Sequence, residues 1–186
     1  MDLEEKKEAL INEIVERELA MFLATPNEGG PSVCQTRPQS FRMMRRMTHS
    51  THDISTLESY LDDLKKAAAE GRNFMIEKYA RMDNRLPPLS QNPLLDKITD
   101  AECAFLREAS ARYPHAIKTS GDMMFRNYCR CELETLSDRT LELYAAEIDR
   151  AVKEGRNLAE ARYDRLWNML GEVSLAAYDA KLAAKN

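Results

Sequence analysis

The sequence has few residues that break secondary structure and no long apolar run. Only 6 of its 186 residues are glycine, 7 are proline and 31% are charged, which excludes a low-complexity or disordered composition. The longest apolar stretch of the first predicted helix, 19–24, is far shorter than the roughly 18 to 20 residues that span a bilayer. The start, MDLEEKKEAL, lacks the basic end and apolar middle of a secretory signal. We therefore expect a cytoplasmic protein without a membrane partner, folded as a single domain over 1–186.

A basic surface is also missing from the sequence. The formal net charge is −4 and the pI is about 5.5, whereas nucleic-acid binders normally carry a basic face that neutralises phosphates. We expect no nucleic acid among the partners. The four cysteines, at positions 34, 103, 129 and 131, fit reduced thiols in a cytoplasm.

The usual signatures of metal enzymes are lacking. The sequence has no HExxH, no CxxC and no paired Glu-x-x-His. His49-x-x-His52 and Cys129-x-Cys131 fall in nearly corresponding segments, but the Cys-x-Cys spacing differs from that of zinc sites. We predict neither a metal nor a cofactor.

An internal repeat is the strongest pattern that the sequence does contain. A shift of 84 residues gives 11 identities in 27 positions between 56–82 and its partner segment. The same shift pairs Glu18 with Glu102 and Phe41 with Phe125. We predict two similar helical halves, roughly 8–86 and 92–170, followed by a C-terminal helix at about 172–184.

Apolar spacing and helix-start signals predict an all-α fold. Apolar residues at intervals of three, four and seven indicate a first helix that ends before Pro26. Pro38 and Pro93 can each open a helix. The capping box that begins at Ser55 predicts a third helix from about residue 56 through Gly71 to about 82, and its counterpart runs from 140 to about 170. Because no segment alternates with period two, we predict an all-α domain whose halves pack around a pseudo-twofold axis.

Residues shared by both halves are interpreted as scaffold. Gly71-Arg72-Asn73 and Gly155-Arg156-Asn157 illustrate this, because a glycine inside a helix costs about 1 kcal/mol and suggests a close helix crossing. The alternative is a paired ligand site in which Arg72 and Asn73 bind substrate. Since chemistry normally breaks symmetry, we look for catalytic residues where the halves differ.

The segment from Asn27 to Gln35 is the clearest difference between the halves. Its adjacent glycines, Gly29 and Gly30, allow close backbone approach and could cradle an anion. Cys34 could act as a nucleophile if a cation lowered its pKa. Arg37, Arg42, Arg45 and Arg46 surround the following helix start. The alternative is a tight turn with a structural cysteine.

The first half alone carries a carboxylate and an amine beside a shared tyrosine, in Glu77-Lys78-Tyr79. A desolvated Lys78 would have a lowered pKa and could act as a base, with Glu77 as general acid or base and Tyr79 as hydrogen-bond donor. The alternative is an exposed ion pair between Glu77 and Arg81, four residues apart.

The second half carries its own polar cluster. It comprises Thr119, Ser120, Arg126, Tyr128, Arg130, Glu132 and Glu134. Glu132 precedes an apolar stretch and could point inward, whereas Glu134 is expected to reach solvent. The alternative is that both are solvated carboxylates near a helix end.

Several motifs follow one another in a recognisable order. They are Asn27-Glu28-Gly29-Gly30, Cys34-Gln35, Phe41-Arg42-x-Met44-Arg45, Gly71-Arg72-Asn73, Glu77-Lys78-Tyr79-Ala80, Thr119-Ser120 and Glu132-Leu133-x-Thr135-x-Ser137. Over about 18–175 the set resembles the bacterial domain-of-unknown-function family 4125. The resemblance implies no assigned activity.

These residues lead to a functional hypothesis. We predict a cofactor-independent enzyme acting on a small anionic or amino-acid-like substrate between the halves, as a lyase, isomerase or amino-acid-modifying enzyme. The substrate-binding residues would be Asn27, Gly29, Gly30, Gln35, Arg42, Arg45, Arg72, Asn73, Thr119 and Ser120. Proton transfer would fall to Glu77, Lys78, Tyr79 and Glu132, or Cys34 would act covalently.

A noncatalytic module that senses a metabolite or binds a protein partner is the alternative. Ten methionines, five of them at positions 43, 44, 47, 123 and 124, suit an adaptable apolar surface, although methionines at helical spacing also fit a core. The sequence is also compatible with a homodimer. A cavity that buries Glu77 and Glu132 beside Cys34 would favour the enzyme, and wide separation of these residues would favour the module.

Overall fold

A computed structural model describes residues 2–26, Gly30 and residues 35–185 of the protein. These residues form nine helices and no strand, which confirms the predicted all-α class. The helices are α1 (Leu3–Leu23), α2 (Pro38–His49), α3 (Ile54–Ala69), α4 (Phe74–Met82), α5 (Leu94–Arg112), α6 (Asp122–Leu133), α7 (Asp138–Lys153), α8 (Leu158–Met169) and α9 (Leu175–Ala183).

Two helices start at the prolines that predict them. Pro38 occupies the first turn of α2, and Pro93 is the N-cap residue of α5, as predicted. The start of α3 differs, because its N-cap is Asp53 and the helix begins two residues before the predicted position 56. The predicted capping box at Ser55 is therefore wrong.

Two turns interrupt the long helices that the sequence predicted. α3 and α7 each end shortly before a glycine, Gly71 and Gly155, with φ angles of 72° and 65°. The N–H of Arg72 donates to the carbonyl of Ala67 at 2.8 Å, which is the long hydrogen bond of a Schellman motif. The predicted continuation of both helices is wrong. The close helix crossing is wrong as well, since the space around both glycines is open.

Asparagines after these turns fix the next helices to the core. Asn73 caps α4 and donates to the carbonyl of Met21 at 2.8 Å, and Asn157 caps α8 and donates to that of Phe105 at 2.9 Å. Each asparagine thus ties the start of its helix to a backbone carbonyl of α1 or α5.

Packing joins the helices in a regular pattern. α1 contacts α2, α3 and α4, while α5 contacts α6, α7 and α8. Across the molecule, α2 packs on α8, α4 on α6 and α3 on α7, and α9 packs on α8. One cluster of buried apolar side chains lies between α1, α3 and α4, and a second lies between α5, α7 and α8. Leu136 packs against both clusters.

Carboxylates on α3 and α7 cap each other's helices. The carboxylate of Asp63 accepts from the backbone N–H of Ser137 at 3.0 Å and from the hydroxyl of Thr140 at 2.6 Å. Glu147 accepts from the N–H of Asp53 at 2.7 Å and from the hydroxyl of Thr56 at 2.5 Å. Negative charge at a helix N-terminus is favourable, so these contacts fix α3 and α7 relative to one another.

Methionines lie both inside and outside the core. Met47 is buried, whereas Met123 and Met124 at the start of α6 are 86% and 61% exposed. The core interpretation is therefore wrong for Met123 and Met124. Among the described residues, no helix combines the length and apolarity needed to cross a membrane.

Candidate active site

A cavity of about 230 Å³ lies between α2, α3, α5, α6, α7 and α8. Five aromatic rings line it, those of Tyr60, Phe125, Tyr128, Tyr144 and Tyr163. Its ionisable wall residues include Arg45, His49, His52, Glu102, Glu132 and Arg162. Concave sites with apolar walls and a few convergent polar groups are the usual place for small ligands.

Glu18, on the buried face of α1, organises one side of the cavity. Its fully buried carboxylate accepts from two nitrogens of Arg45 at 2.6 and 2.8 Å and from the hydroxyl of Tyr60 at 2.7 Å. Nε2 of His49 lies 3.1 Å from both carboxylate oxygens. Burial opposes ionisation, but Arg45 and His49 outweigh it and hold the pKa of Glu18 well below its usual range. Glu18 is therefore a fixed negative charge.

Glu132, on α6, joins this network to α4. Arg45 Nη1 donates to both of its oxygens at 3.1 Å, and Lys78 Nζ donates at 2.8 Å. Lys78 is buried and also donates to the hydroxyl of Tyr128 at 3.2 Å. Burial disfavours the charged ammonium, but Glu132 outweighs it and raises the pKa of Lys78. The predicted lowering of that pKa is wrong, so Lys78 is a cation and not a free base.

Stability should fall at acid pH as Glu132 becomes protonated. Burial opposes ionisation, but Arg45 and Lys78 outweigh it and lower the pKa of Glu132 from 4.5 to about 2. A carboxyl with a lowered folded-state pKa stabilises the fold above its unfolded pKa, and this contribution disappears as pH falls through the folded value. We expect wild type to be more stable than Glu132→Gln at pH 6, with the difference shrinking between pH 4.5 and pH 2 in thermal unfolding followed by circular dichroism. A pH-independent difference would contradict the ionised state of Glu132.

A second buried carboxylate occupies the opposite side of the cavity. Glu102, on α5, accepts from Arg162 at 2.6 and 2.8 Å and from the hydroxyl of Tyr144 at 2.7 Å. Arg162 also donates through Nε to the hydroxyl of Thr51 at 2.9 Å. Burial opposes ionisation of Glu102, but Arg162 outweighs it and keeps the pKa of Glu102 lowered. The guanidinium and carboxylate are thus paired before any ligand arrives.

Two histidines on the cavity wall are each held by a buried carboxylate. His49 uses Nε2 toward Glu18, and its Nδ1 is buried without a hydrogen-bond partner in the described part of the chain. His52 uses Nδ1 toward Glu147 at 2.7 Å. The two imidazole centroids are 6.0 Å apart. In the neutral form of an imidazole, an ionised carboxylate favours N–H on the nitrogen that faces it, and the other nitrogen is then an acceptor.

The cavity brings together part of the predicted site. Arg45 and Glu132 line it, Thr119 and Ser120 lie at its exposed rim, and Lys78 contacts Glu132. The inward orientation expected for Glu132 agrees with this position.

Other predicted residues lie away from the cavity wall. Glu77 pairs with Arg72 at 2.8 Å, and Tyr79 packs against the first apolar cluster. Arg42 pairs with Glu16 at 2.6 Å. The predicted Glu77–Arg81 pair is wrong, because Glu77 pairs with Arg72 instead. Asn73 serves as the cap already described.

Arg81 contacts a carboxylate that the sequence placed in solvent. Its Nε donates to Glu134 at 2.6 Å, and the backbone N–H of Leu89 donates to the same carboxylate at 3.1 Å. Glu134 is buried, with a fully covered side chain. The expectation of two solvated carboxylates is wrong, because an arginine and a backbone N–H replace water around Glu134.

The glycine-containing loop lies mostly outside the described residues. This applies to Asn27, Gly29 and Cys34, while Gly30 is described with a φ angle of 97°. Gln35 donates through Nε2 to the carbonyls of Phe22 and Thr25 at 2.9 and 2.8 Å, at the end of α1.

The sequence did not identify most of the buried charged and hydrogen-bonding residues in and around the cavity. The missed residues are Glu18, Tyr60, Glu102, Tyr144, Glu147 and Arg162, while the sequence pattern suggests His49 and His52 only as metal ligands. The repeat contained a signal, since Glu18 matches Glu102 and Tyr60 matches Tyr144 under the shift. The interpretation of shared residues as scaffold does not use this signal.

Comparisons with known proteins identify the family. No group of three or more His, Cys, Asp or Glu side chains suited to a metal occurs among the described residues. No curated protein and no solved structure matches the chain. A family model described as "Protein of unknown function (DUF4125)" matches residues 8–180. Because this match covers most of the chain, the protein belongs to the DUF4125 family.

Proposed function

We propose that the protein is a small-molecule enzyme that performs acid/base chemistry in the cavity. One observation carries this proposal: two histidines line the same cavity, and one ring nitrogen of each is held by a buried carboxylate. A carboxylate that fixes the tautomer and orientation of an imidazole is a recurring arrangement for proton transfer.

His52 is assigned the role of principal base. Its Nδ1 is held by Glu147, so Nε2 is the nitrogen available to substrate. His49 is deeper, and burial lowers its pKa, so that it is a neutral acceptor at physiological pH. Tyr128 accepts a hydrogen bond from Lys78, which leaves its own proton available as a donor. Glu132 and burial raise the pKa of Tyr128, keeping it protonated.

We also infer that the halves are related by a pseudo-twofold axis through the cavity. The reciprocal caps made by Asp63 and Glu147 support this, because the two residues are 84 positions apart. The crossed contacts of α2 with α8 and of α4 with α6 follow the same relation. Each half then contributes one Glu–Tyr pair, Glu18–Tyr60 and Glu102–Tyr144, to opposite walls.

Deuterium exchange tests the proposed chemistry directly. The protein is incubated in deuterium oxide with a defined mixture of the proteinogenic amino acids, whose carboxyl group acidifies the α-hydrogen, and loss of that hydrogen is followed by proton NMR. We expect wild type to exchange at least one compound and His52→Asn to exchange it at least about a hundred-fold more slowly. His115→Asn is the matched control, because this third histidine does not line the cavity.

Three outcomes would contradict the proposal. They are the absence of exchange by wild type, an unchanged rate in His52→Asn, and an equal loss in His115→Asn. Glu77→Gln is included because the sequence points to Glu77. If this variant lost activity while His52→Asn kept it, the base would be Glu77.

A metabolite-binding module without catalysis is the second candidate. The separation of Glu77 from the cavity favours it, as does the internal pairing of Arg45 and Arg162 with carboxylates. Such a module would bind a compound from the mixture without exchanging its hydrogens.

A further inference from the structure

We propose that the cavity recognises a small protonated amine with an apolar, ring-sized body, rather than an anion. This inference concerns the ligand of the same cavity and rests on the proposed function only for its location. It would hold for either an enzyme or a sensing module, because it follows from the hydrogen-bonding groups and charges that the cavity presents.

The hydrogen bonds within the wall leave mainly acceptors for a ligand. His49 is 4% exposed, and its Nδ1 has no partner among the described residues. Its Nε2 lies 3.1 Å from both oxygens of Glu18 and 3.4 Å from Arg45, so Nε2–H donates to the carboxylate and Nδ1 keeps a lone pair. Tyr60 donates its hydroxyl proton to Glu18 and therefore also offers only an oxygen lone pair. A ligand that donates hydrogen bonds satisfies these atoms, whereas a carboxylate or phosphate does not.

The charges around the cavity favour a cation. Four buried or half-buried carboxylates and three such cations line the cavity or contact its lining residues. The carboxylates are those of Glu18, Glu102, Glu132 and Glu147, and the cations are Arg45, Lys78 and Arg162. This set of seven side chains contains one more carboxylate than arginine and lysine side chains. Lys118 at the rim does not balance it, since this residue is exposed and donates to the carbonyl of Pro114 at 2.6 Å. Buried negative charge in excess attracts a positive ligand.

Among the described residues, the arginines predicted to bind an anionic substrate are already paired with carboxylates. Arg45 is held by Glu18 and Glu132, and Arg162 is held by Glu102. Arg42 lies on the surface with Glu16. An anion would therefore have to compete with an existing carboxylate for each arginine of the cavity wall.

The size and walls of the cavity define the rest of the ligand. A dry cavity of about 150 Å³ holds a benzene ring, so about 230 Å³ accommodates one ring with a short chain. The rings of Tyr60, Tyr128, Tyr144 and Phe125 supply apolar faces, and aromatic faces also attract ammonium groups. Phenethylamine has this size and charge.

Three probes of similar shape test the inference on the wild-type protein. They are phenethylamine, which is cationic, hydrocinnamate, which is anionic, and phenethyl alcohol, which is neutral. Each is titrated at neutral pH while the imidazole nitrogens are followed by long-range proton–nitrogen NMR. We expect saturable binding of phenethylamine at least about ten-fold tighter than that of hydrocinnamate, with a shift of the unprotonated Nδ1 resonance of His49.

A ring-preserving variant assigns the contact. His49→Phe removes the acceptor and should weaken phenethylamine binding by about 10- to 100-fold, as expected for a lost hydrogen bond to a charged group. His115→Phe should leave the affinity unchanged. Tighter binding of hydrocinnamate, no binding of any probe, or unchanged affinity in His49→Phe would overturn the inference. The comparison of probes needs no variant, so a folding defect in His49→Phe would not remove the test.

The two proposals fail separately. Amine binding without deuterium exchange would leave the ligand class standing and remove the enzyme. If the protein exchanges a substrate hydrogen but binds hydrocinnamate more tightly than phenethylamine, the enzyme proposal stands and the amine ligand is wrong.

Discussion

Replacing Glu18 by glutamine is expected to lower the free energy of unfolding by about 3 to 5 kcal/mol. Glu18 is fully buried and is the shared acceptor for Arg45, His49 and Tyr60. A neutral amide leaves the buried guanidinium of Arg45 with only Glu132 as a charged partner. Removing one member of a buried ion pair is costly, because the remaining charge has lost its water and is not fully compensated. Urea unfolding of Glu18→Gln, followed by circular dichroism, measures the loss.

Glu16→Gln is the matched control for this experiment. Glu16 lies on the same helix and also pairs with an arginine, Arg42 at 2.6 Å, but its side chain is 57% exposed. Exposed ion pairs contribute little, so the urea midpoint of Glu16→Gln should remain close to that of wild type. Similar midpoints for both variants would show that the Glu18 network does not hold α1 to α2.

The sequence predicts helix starts better than helix ends. Proline fixes φ and needs no amide partner in a first turn, so Pro38 and Pro93 mark their helices without help from tertiary structure. Gly71 and Gly155 do not predict a helix end in the same way, because the apolar residues on both sides of each glycine are compatible with one continuous helical face. Only the φ angles of 72° and 65° show that these glycines end their helices. Apolar periodicity does not report such a local change of direction.

The candidate site was predicted only in part, for a related reason. Periodicity shows which face of a helix is buried, but not which side chain from another helix meets it. Glu18 lies on the apolar face of α1, and its partner Arg45 comes from α2 and is 27 residues away. His52 meets Glu147 across 95 residues. A carboxylate repeated on an apolar face, as with Glu18 and Glu102, was the usable signal.

The assumption that catalytic residues lie where the halves differ holds for only part of the site. It led to Glu77 and Glu134, which are paired with arginines away from the cavity wall. Glu132 was selected by the same rule and does line the cavity. A site on the proposed pseudo-twofold axis combines both kinds of residue: Tyr60 and Tyr144 are shared, whereas Glu132 belongs to one half.

Replacing Arg162 alone by methionine is expected to destabilise the protein by about 3 to 5 kcal/mol. Glu102 is 2% exposed, and without Arg162 it keeps only the hydroxyl of Tyr144 as a close donor. Glu102→Met alone should also destabilise, since it leaves Arg162 with the hydroxyls of Thr51 and Tyr144 but no carboxylate. Urea unfolding of the two single variants measures these losses.

The double variant Glu102→Met with Arg162→Met should recover most of the lost stability, ending within about 2 kcal/mol of wild type. Burying an ion pair has a large desolvation cost, so apolar residues of similar volume often replace it without loss. The free energies of the four proteins form a double-mutant cycle, and an additive result would show that the two charges do not interact. A stable double variant would also show that the fold does not require this pair.

The same double variant tests which side of the cavity recognises the ligand. It removes one charge of each sign, so the excess of one carboxylate remains, but Tyr144 loses the carboxylate that accepts its hydrogen bond. If the stable double variant binds phenethylamine as well as wild type does, recognition lies on the His49 side of the cavity. If the double variant no longer binds phenethylamine, the side of the cavity formed by Glu102, Tyr144 and Arg162 positions the ligand. The ion pair would then serve ligand recognition without adding to the free energy of unfolding.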